Sequence, residues 1–285
     1  AMGPPSSGGQ VLLESLNLLE GWNLADQPEV TRWHLMAESL RRAFLDRARH
    51  LGDPEANPGM PLARLISKPY AAALRAGLDP AKASVSDPAQ AQVPGEPEHT
   101  THLSVVDRRG TAVALTTTLE DSYGSAILVR GAGFLLNNEM GDFNAAPGLT
   151  DRDGKIGTEP NLVRPGRRML SSMCPAILVK EGELLVVGSP GGRTIPSTVL
   201  CTVVGLVDRG LGAQAAVDAP RLHQQWLPDR IQAEPGIPTA ALEALGHAIK
   251  PVKKQGVAQV IRVREGRAEG GADQTRYGDS AAVAE

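Results

Sequence analysis

The sequence His99-Thr100-Thr101-His102-Leu103-Ser104-Val105-Val106 is followed by the turn Asp107-Arg108-Arg109-Gly110 and by Thr111-Ala112-Val113-Ala114-Leu115-Thr116-Thr117-Thr118-Leu119. Two β-branched runs separated by a four-residue turn predict a β-hairpin over 101–106 and 111–119. Just before it lies a segment of low hydrophobicity, residues 79–99, with Pro80, Pro88, Pro94 and Pro97, which reads as an exposed tether. If the bond before Thr100 were cut, Thr100 would carry a hydroxyl and a free α-amine on one residue. An α-amine titrates near about 8, so it can take the hydroxyl proton at neutral pH. The same threonines also suit an ordinary strand start.

The residues on either side of the tether have different textures. Upstream, apolar spacing predicts helices over 10–24, 28–51 and 66–76, the second with Glu38, Arg41, Arg42, Asp46 and Arg47 on an exposed face. Downstream, residues 175–180 and 184–188 form a second hairpin whose continuous apolar runs predict burial on both faces. A short strand is expected at 134–137, helices at 194–207, 213–219 and 238–246, and a last hairpin at 258–263 and 268–272. Antiparallel hairpins followed by helices indicate stacked sheets covered by helices, an α/β layered architecture.

Composition narrows the classes. With 31 Gly, 22 Pro and only nine aromatic residues in 285, the core must be aliphatic and the chain rich in turns, which excludes a coiled coil. The net charge of −3 and the scattered basic residues give no nucleic-acid surface. No apolar run approaches the ~18 residues of a membrane span. Cys174 and Cys201 read as buried reduced thiols, and no His, Cys or carboxylate spacing suggests a metal. Residues 1–9 contain no signal peptide, so no compartment is assigned.

Four further segments could carry chemistry. Ser189-Pro190-Gly191-Gly192 stands between a buried strand and a helix, where backbone N–H groups can hold an oxyanion. Leu170-Ser171-Ser172-Met173 offers two hydroxyls for a carboxylate. In Asn137-Asn138-Glu139-Met140-Gly141-Asp142-Phe143, Glu139 and Asp142 could accept from an ammonium group. His223, within Leu222-His223-Gln224-Gln225-Trp226, reads as a structural histidine. Each segment alone is also compatible with a tight turn or a solvated loop.

Their order is more specific than any one of them. Thr100 to Asp107, Leu135 to Phe143, Leu170 to Met173, Gly188 to Gly192 and Ala219-Pro220-Arg221-Leu222-His223 resemble successive motifs of the γ-glutamyltransferase (γ-glutamyltranspeptidase) small subunit. Pro4-Pro5-Ser6-Ser7-Gly8-Gly9 and Tyr70-Ala71 are similar to the end of that family's large subunit.

The resemblance implies an N-terminal-nucleophile (Ntn) hydrolase with an αββα four-layer sandwich, here incomplete on its N-terminal side. It implies self-cleavage between His99 and Thr100, dividing the chain into a large-subunit-like region, 1–99, and a catalytic region, 100–285, that pair after the cut. It makes Thr100 the nucleophile, with its own amine as base and Thr118 as its orienting partner. Gly191 and Gly192 form the oxyanion hole. Ser171 and Ser172 hold the donor carboxylate, and Glu139 and Asp142 its ammonium. The donor is a small γ-glutamyl compound such as glutathione, the acceptor water or an amine, and no cofactor is needed.

Two residues depart from the family pattern. Glu120 replaces the usual Asn, putting a third carboxylate at the ammonium position. Asp153 stands where the lid, residues 147–167, usually carries an aromatic. These keep open a related amidohydrolase acting on glutaryl or poly-γ-glutamyl substrates. The family's donor-carboxylate Arg has no counterpart here, which implies the back half of a longer precursor and keeps open a non-catalytic, unprocessed fragment of the same fold.

Overall fold

In α1 (Gly8–Leu19), α2 (Glu29–His50), α3 (Leu62–Leu65) and α4 (Lys68–Ala76), the apolar spacing of the first 76 residues becomes a helical layer. The computed structural model describes residues 1–90, 100–144, 146–276 and 280–283. After the tether come β1 (Thr101–Val106), β2 (Ala112–Thr117), β3 (Leu128–Val129), β4 (Phe134–Leu135), β5 (Ala176–Lys180) and β6 (Glu183–Gly188). Then follow α5 (Ile195–Val207), α6 (Ala213–Asp218), β7 (Leu222–His223), β8 (Ile231–Ala233), α7 (Thr239–Ala244), β9 (Ile249–Pro251), β10 (Gln259–Arg264) and β11 (Arg267–Ala272).

The main sheet has the order β11-β10-β6-β5, antiparallel throughout. The β1–β2 hairpin stacks on one of its faces. Helices α1, α2, α5 and α6 cover the other through one aliphatic cluster that includes Val11, Leu40, Leu185, Val187, Val199 and Val260. Strand β6 lies at the centre of this stack, with Val186 and Val187 both fully buried although they point to opposite faces. Helices, sheet and hairpin thus form a layered α/β stack. The outward residues of the hairpin, Leu103, Val105, Val113 and Leu115, are exposed.

Several expectations are corrected. Helix α1 stops at Leu19, not Leu24, because Arg75 donates to the carbonyls of Asn17 and Leu18 and closes its last turn. Helix α4 starts at Lys68 rather than Ile66, since the Ser67 hydroxyl caps it by accepting from Tyr70 N. The charged face of α2 is not exposed: Glu38, Arg41, Asp46 and Arg47 are buried, and only Arg42 is partly accessible. These charges are satisfied partly within the helix and partly from afar; Arg41, for instance, pairs with Glu38 one turn away and with Asp229 on a distant loop.

Strand β5 is not buried on both faces. It is the sheet's edge, and Val179 is 79% exposed. The unpredicted β7-β8-β9 sheet includes one parallel pair, β8–β9. The first part of the tether is held in place: Ala83 N donates to Leu245 O, and Ser86 N to Asp229. Residues 91–99, with His99, lie outside the described residues.

Candidate active site

The hairpin register places the first two site residues. Thr101 pairs with Thr117, so one step further along sets Thr100 opposite Thr118. Both line one cleft. Its other walls are Glu120, Glu139, Asp142, Ser171, Ser172, Met173, Gly192 and Ile195. Thus Thr100, Thr118, Glu120, Glu139, Asp142, Ser171, Ser172 and Gly192, read from five separated segments, meet in one place. Gly191 stands one residue behind the wall, and His99 lies outside the described residues.

Each segment is fixed by its own local chemistry. Glu120 N–H donates to Thr118 Oγ1 at 2.9 Å, closing a tight turn at the end of β2. Glu120 itself has φ +72°, a left-handed conformation that costs a side-chain-bearing residue about 1 kcal/mol. Its carboxylate fills the space above Gly141, where a Cβ would lie 2.1 Å from Oε1.

Asn138 ties the next segment to this turn. Its N–H donates to Leu119 O, its amide to Asp121 Oδ2 at 2.7 Å, and its Oδ1 accepts from Asp121 N. Glu139 and Asp142 open and close the single 3₁₀ turn that follows, so both face the cleft. Asn161 then joins opposite walls, donating to Asp142 O at 2.8 Å and accepting from Leu170 N at 3.0 Å.

The Ser171-Ser172 wall is built on the N-terminal segment. Ser6 and Ser171 form a parallel bridge, Ser7 N and Oγ both donate to Ser171 O at 2.8 Å, and Ser6 Oγ donates to Met173 O at 2.6 Å. Gly8 must be glycine, because a Cβ there would lie 2.3 Å from Met173 O. Opposite, β6 runs into Ser189-Pro190-Gly191-Gly192. Gly191 (φ +131°) and Gly192 (φ +54°) take conformations open to glycine, and α5 begins beyond them. Val257 N donates to Ser189 Oγ and steadies the loop.

Two buried histidines brace this frame without entering the cleft. His102 lies between hairpin and sheet, bonded to Thr116 Oγ1 (2.8 Å) and Ser104 Oγ (3.1 Å). Its ring fills the notch left by Gly188, where a Cβ would come within 2.1 Å. His223 bonds Ser197 Oγ of α5 at 2.7 Å, which bears out its structural reading. Burial pushes both imidazoles down to about 4, so they stay neutral. The two cysteines are free and buried as expected, and burial raises Cys174 to about 12 and Cys201 to about 11.

Met173, Ile195 and Arg47 were not expected at the site. Arg47, 3% exposed at the end of α2, donates through Nε to Ser7 Oγ (2.8 Å) and through Nη2 to Ser172 Oγ (3.2 Å). No local pattern sets this arginine apart from the other charges of α2. Asp153 is exposed and is not part of the cleft wall.

The cleft wall therefore brings together the Ser171 and Ser172 hydroxyls, three carboxylates, and a threonine that precedes β1, with Gly192 of the Gly-Gly turn. A threonine so placed, at the edge of two stacked sheets, defines an Ntn hydrolase. The gamma-glutamyltranspeptidase family model matches residues 1–283, and the chain belongs to that family.

It is 44% identical over 238 residues to a glutathione hydrolase proenzyme of Pseudomonas sp. (strain A14), covering 81% of this chain and 41% of the relative. The gamma-glutamyltranspeptidase of Pseudomonas nitroreducens, solved in complex with L-DON, superposes with a TM-score of 0.57 at 38% identity. That match covers 65% of this chain and all of the solved chain. A cephalosporin acylase of Bacillus halodurans superposes over the whole of this chain and 51% of its own, with a TM-score of 0.80 at 26% identity. The chain spans about half the length of the curated relatives it matches. Among the described residues no helix is long and apolar enough to cross a membrane.

Proposed function

We propose that this chain carries the nucleophile and most of the donor pocket of a γ-glutamyl acyltransferase and glutathione hydrolase. The supporting observation is the convergence of Thr100, Thr118, Gly192, Ser171, Ser172, Glu139 and Asp142 on one cleft. In maturation, Thr100 Oγ attacks the carbonyl carbon of His99 and the peptide nitrogen leaves as the amine of Thr100. Water then hydrolyses the ester, releasing the His99 carboxylate and restoring the hydroxyl.

In turnover the Thr100 amine takes the hydroxyl proton as Oγ attacks the γ-carbonyl of the donor. The Gly191 and Gly192 N–H groups receive the developing oxyanion, with about 3 kcal/mol per donor as the usual scale. The proton passes to the leaving amine, and water or an acceptor amine takes the γ-glutamyl group from the ester. Ser171 and Ser172 bind the α-carboxylate, while Glu139 and Asp142, with Glu120, bind the α-ammonium. A glutaryl group has no ammonium to offset these three carboxylates, so the pocket favours γ-glutamyl donors.

Asp153 in the lid gives a polar entrance, which favours water over amines as acceptor. A tryptophan-to-aspartate mutant of the Pseudomonas nitroreducens enzyme is described as highly active. The decisive experiment is incubation of the purified precursor. Fragments of 99 and 186 residues, a new Thr-Thr-His-Leu terminus and hydrolysis of a γ-glutamyl anilide, all lost in Thr100→Ala, are expected. A single uncut chain without hydrolysis would refute the reading.

A further inference from the structure

We propose that Arg47 is the positioning residue for the donor's α-carboxylate, acting through Ser7 and Ser172; this rests on the functional reading above. A guanidinium only donates, so its two bonds fix the direction of both serine hydroxyls. Ser7 Oγ accepts from Arg47 Nε at 2.8 Å and passes its own proton to Ser171 O at 2.8 Å. Ser172 Oγ accepts from Arg47 Nη2 at 3.2 Å, and Ser172 itself lines the cleft. One buried cation thereby grips the backbone of Ser171 and orients the hydroxyl of Ser172. Arg47 also polarises that O–H, making it a stronger donor to an anion.

The planar fork explains why arginine stands here. Nε and Nη2 lie on one edge of the guanidinium and reach two acceptors at a fixed spacing, which a single lysine ammonium does not reproduce. Ser7 and Ser172 come from segments 165 positions apart, and Arg47 on α2 is the cation bonded to both hydroxyls. It also gives the Ser6-Ser7 pair a task beyond backbone pairing: Ser6 holds Met173 O and Ser7 relays Arg47 to Ser171 O.

The test is a double-mutant cycle in the processed enzyme with a γ-glutamyl anilide as donor. Arg47→Met should raise the donor KM by about tenfold or more, the scale of a lost charge-assisted hydrogen bond, with kcat changed less than about threefold. Arg47→Lys should fall between. In a Ser172→Ala background most of the Arg47→Met effect should vanish, because the oriented hydroxyl is already gone.

Ser7→Ala leaves the guanidinium in place and removes one anchor. It should raise KM by a smaller factor, and it keeps the question answerable if Arg47→Met does not fold. Equal Arg47→Met or Ser7→Ala effects with and without the Ser172 hydroxyl, or losses confined to kcat, would overturn the proposal alone. A wild-type enzyme with no γ-glutamyl hydrolysis would overturn the functional reading and this proposal with it.

Discussion

Glu120 N–H donates to Thr118 Oγ1 at 2.9 Å, and Thr118 stands opposite Thr100 across the hairpin register. Because the Thr118 oxygen is already an acceptor, its proton can be directed at a neighbouring oxygen. Thr118→Ala should therefore lower kcat by roughly a hundredfold, the scale of a lost orienting or proton-transfer partner, with little change in donor KM. Thr118→Ser should keep most of the rate. Steady-state kinetics on a γ-glutamyl anilide tests both, and a Thr118→Ala variant with wild-type kcat would remove Thr118 from the mechanism.

Glu120 and Gly141 are sterically interlocked, so their substitutions should not be additive. Gly141→Ala puts a methyl where Glu120 Oε1 now lies, 2.1 Å away, and should cost about 1–3 kcal/mol. Glu120→Asn suits the left-handed backbone better and vacates that space. It should be neutral or stabilising by up to about 1 kcal/mol. In the double variant the Gly141→Ala penalty should largely disappear. Thermal melts of the four proteins measure the coupling, and simple additivity would show that the two positions do not share this space.

The legible part of the fold was the part written in local periodicity. The hairpins, α2 and α5 stood out because β-branched alternation and apolar spacing are continuous there, and the register of β1 on β2 then placed Thr100 beside Thr118. What the sequence hid depends on partners far away. Arg75 ends α1 from 57 positions downstream, and β5 lies at a sheet edge although its residues are as apolar as those of β6. Buried Glu38 and Arg47 look like solvated charges until Ser84 and Ser172 are placed beside them. Most of the cleft residues were readable only through the order of their motifs, since each segment alone also suits a tight turn or a solvated loop; Met173 and Ile195 were not readable at all.

Asn161 joins the segments that carry Asp142 and Ser171, from Asp142 O to Leu170 N, while itself 3% exposed. Removing its amide leaves the buried Leu170 N–H unsatisfied, worth about 1–3 kcal/mol, and the part-buried Asp142 carbonyl without this donor. Asn161→Ala should therefore lower stability and loosen the pocket together, raising the donor KM severalfold. Asn161→Asp keeps the acceptor for Leu170 N but loses the donor to Asp142 O, and should fall between. The comparison is made by melting temperature and by donor KM; a stability loss with unchanged KM would confine Asn161 to a structural role.

The buried histidines set the acid limit of the fold. His102 and His223 are held at about 4 by burial, and His247, buried against His34 with a 2.8 Å ring contact, is likewise pushed down to about 4. In the unfolded chain each titrates near about 6.5. Above that pH neither state binds these protons and their contribution is constant. Between about 6.5 and 4 the unfolded chain takes up protons that the folded chain refuses, so stability falls as pH falls. At full effect each histidine contributes a slope of about 1.4 kcal/mol per pH unit. The melting temperature should thus drop steadily from pH 6.5 toward 4. His223→Asn should be less stable at pH 7, having lost the full imidazole bridge to Ser197, yet show a shallower decline through that window. A variant with the same slope as wild type would mean that His223 takes up its proton equally in both states.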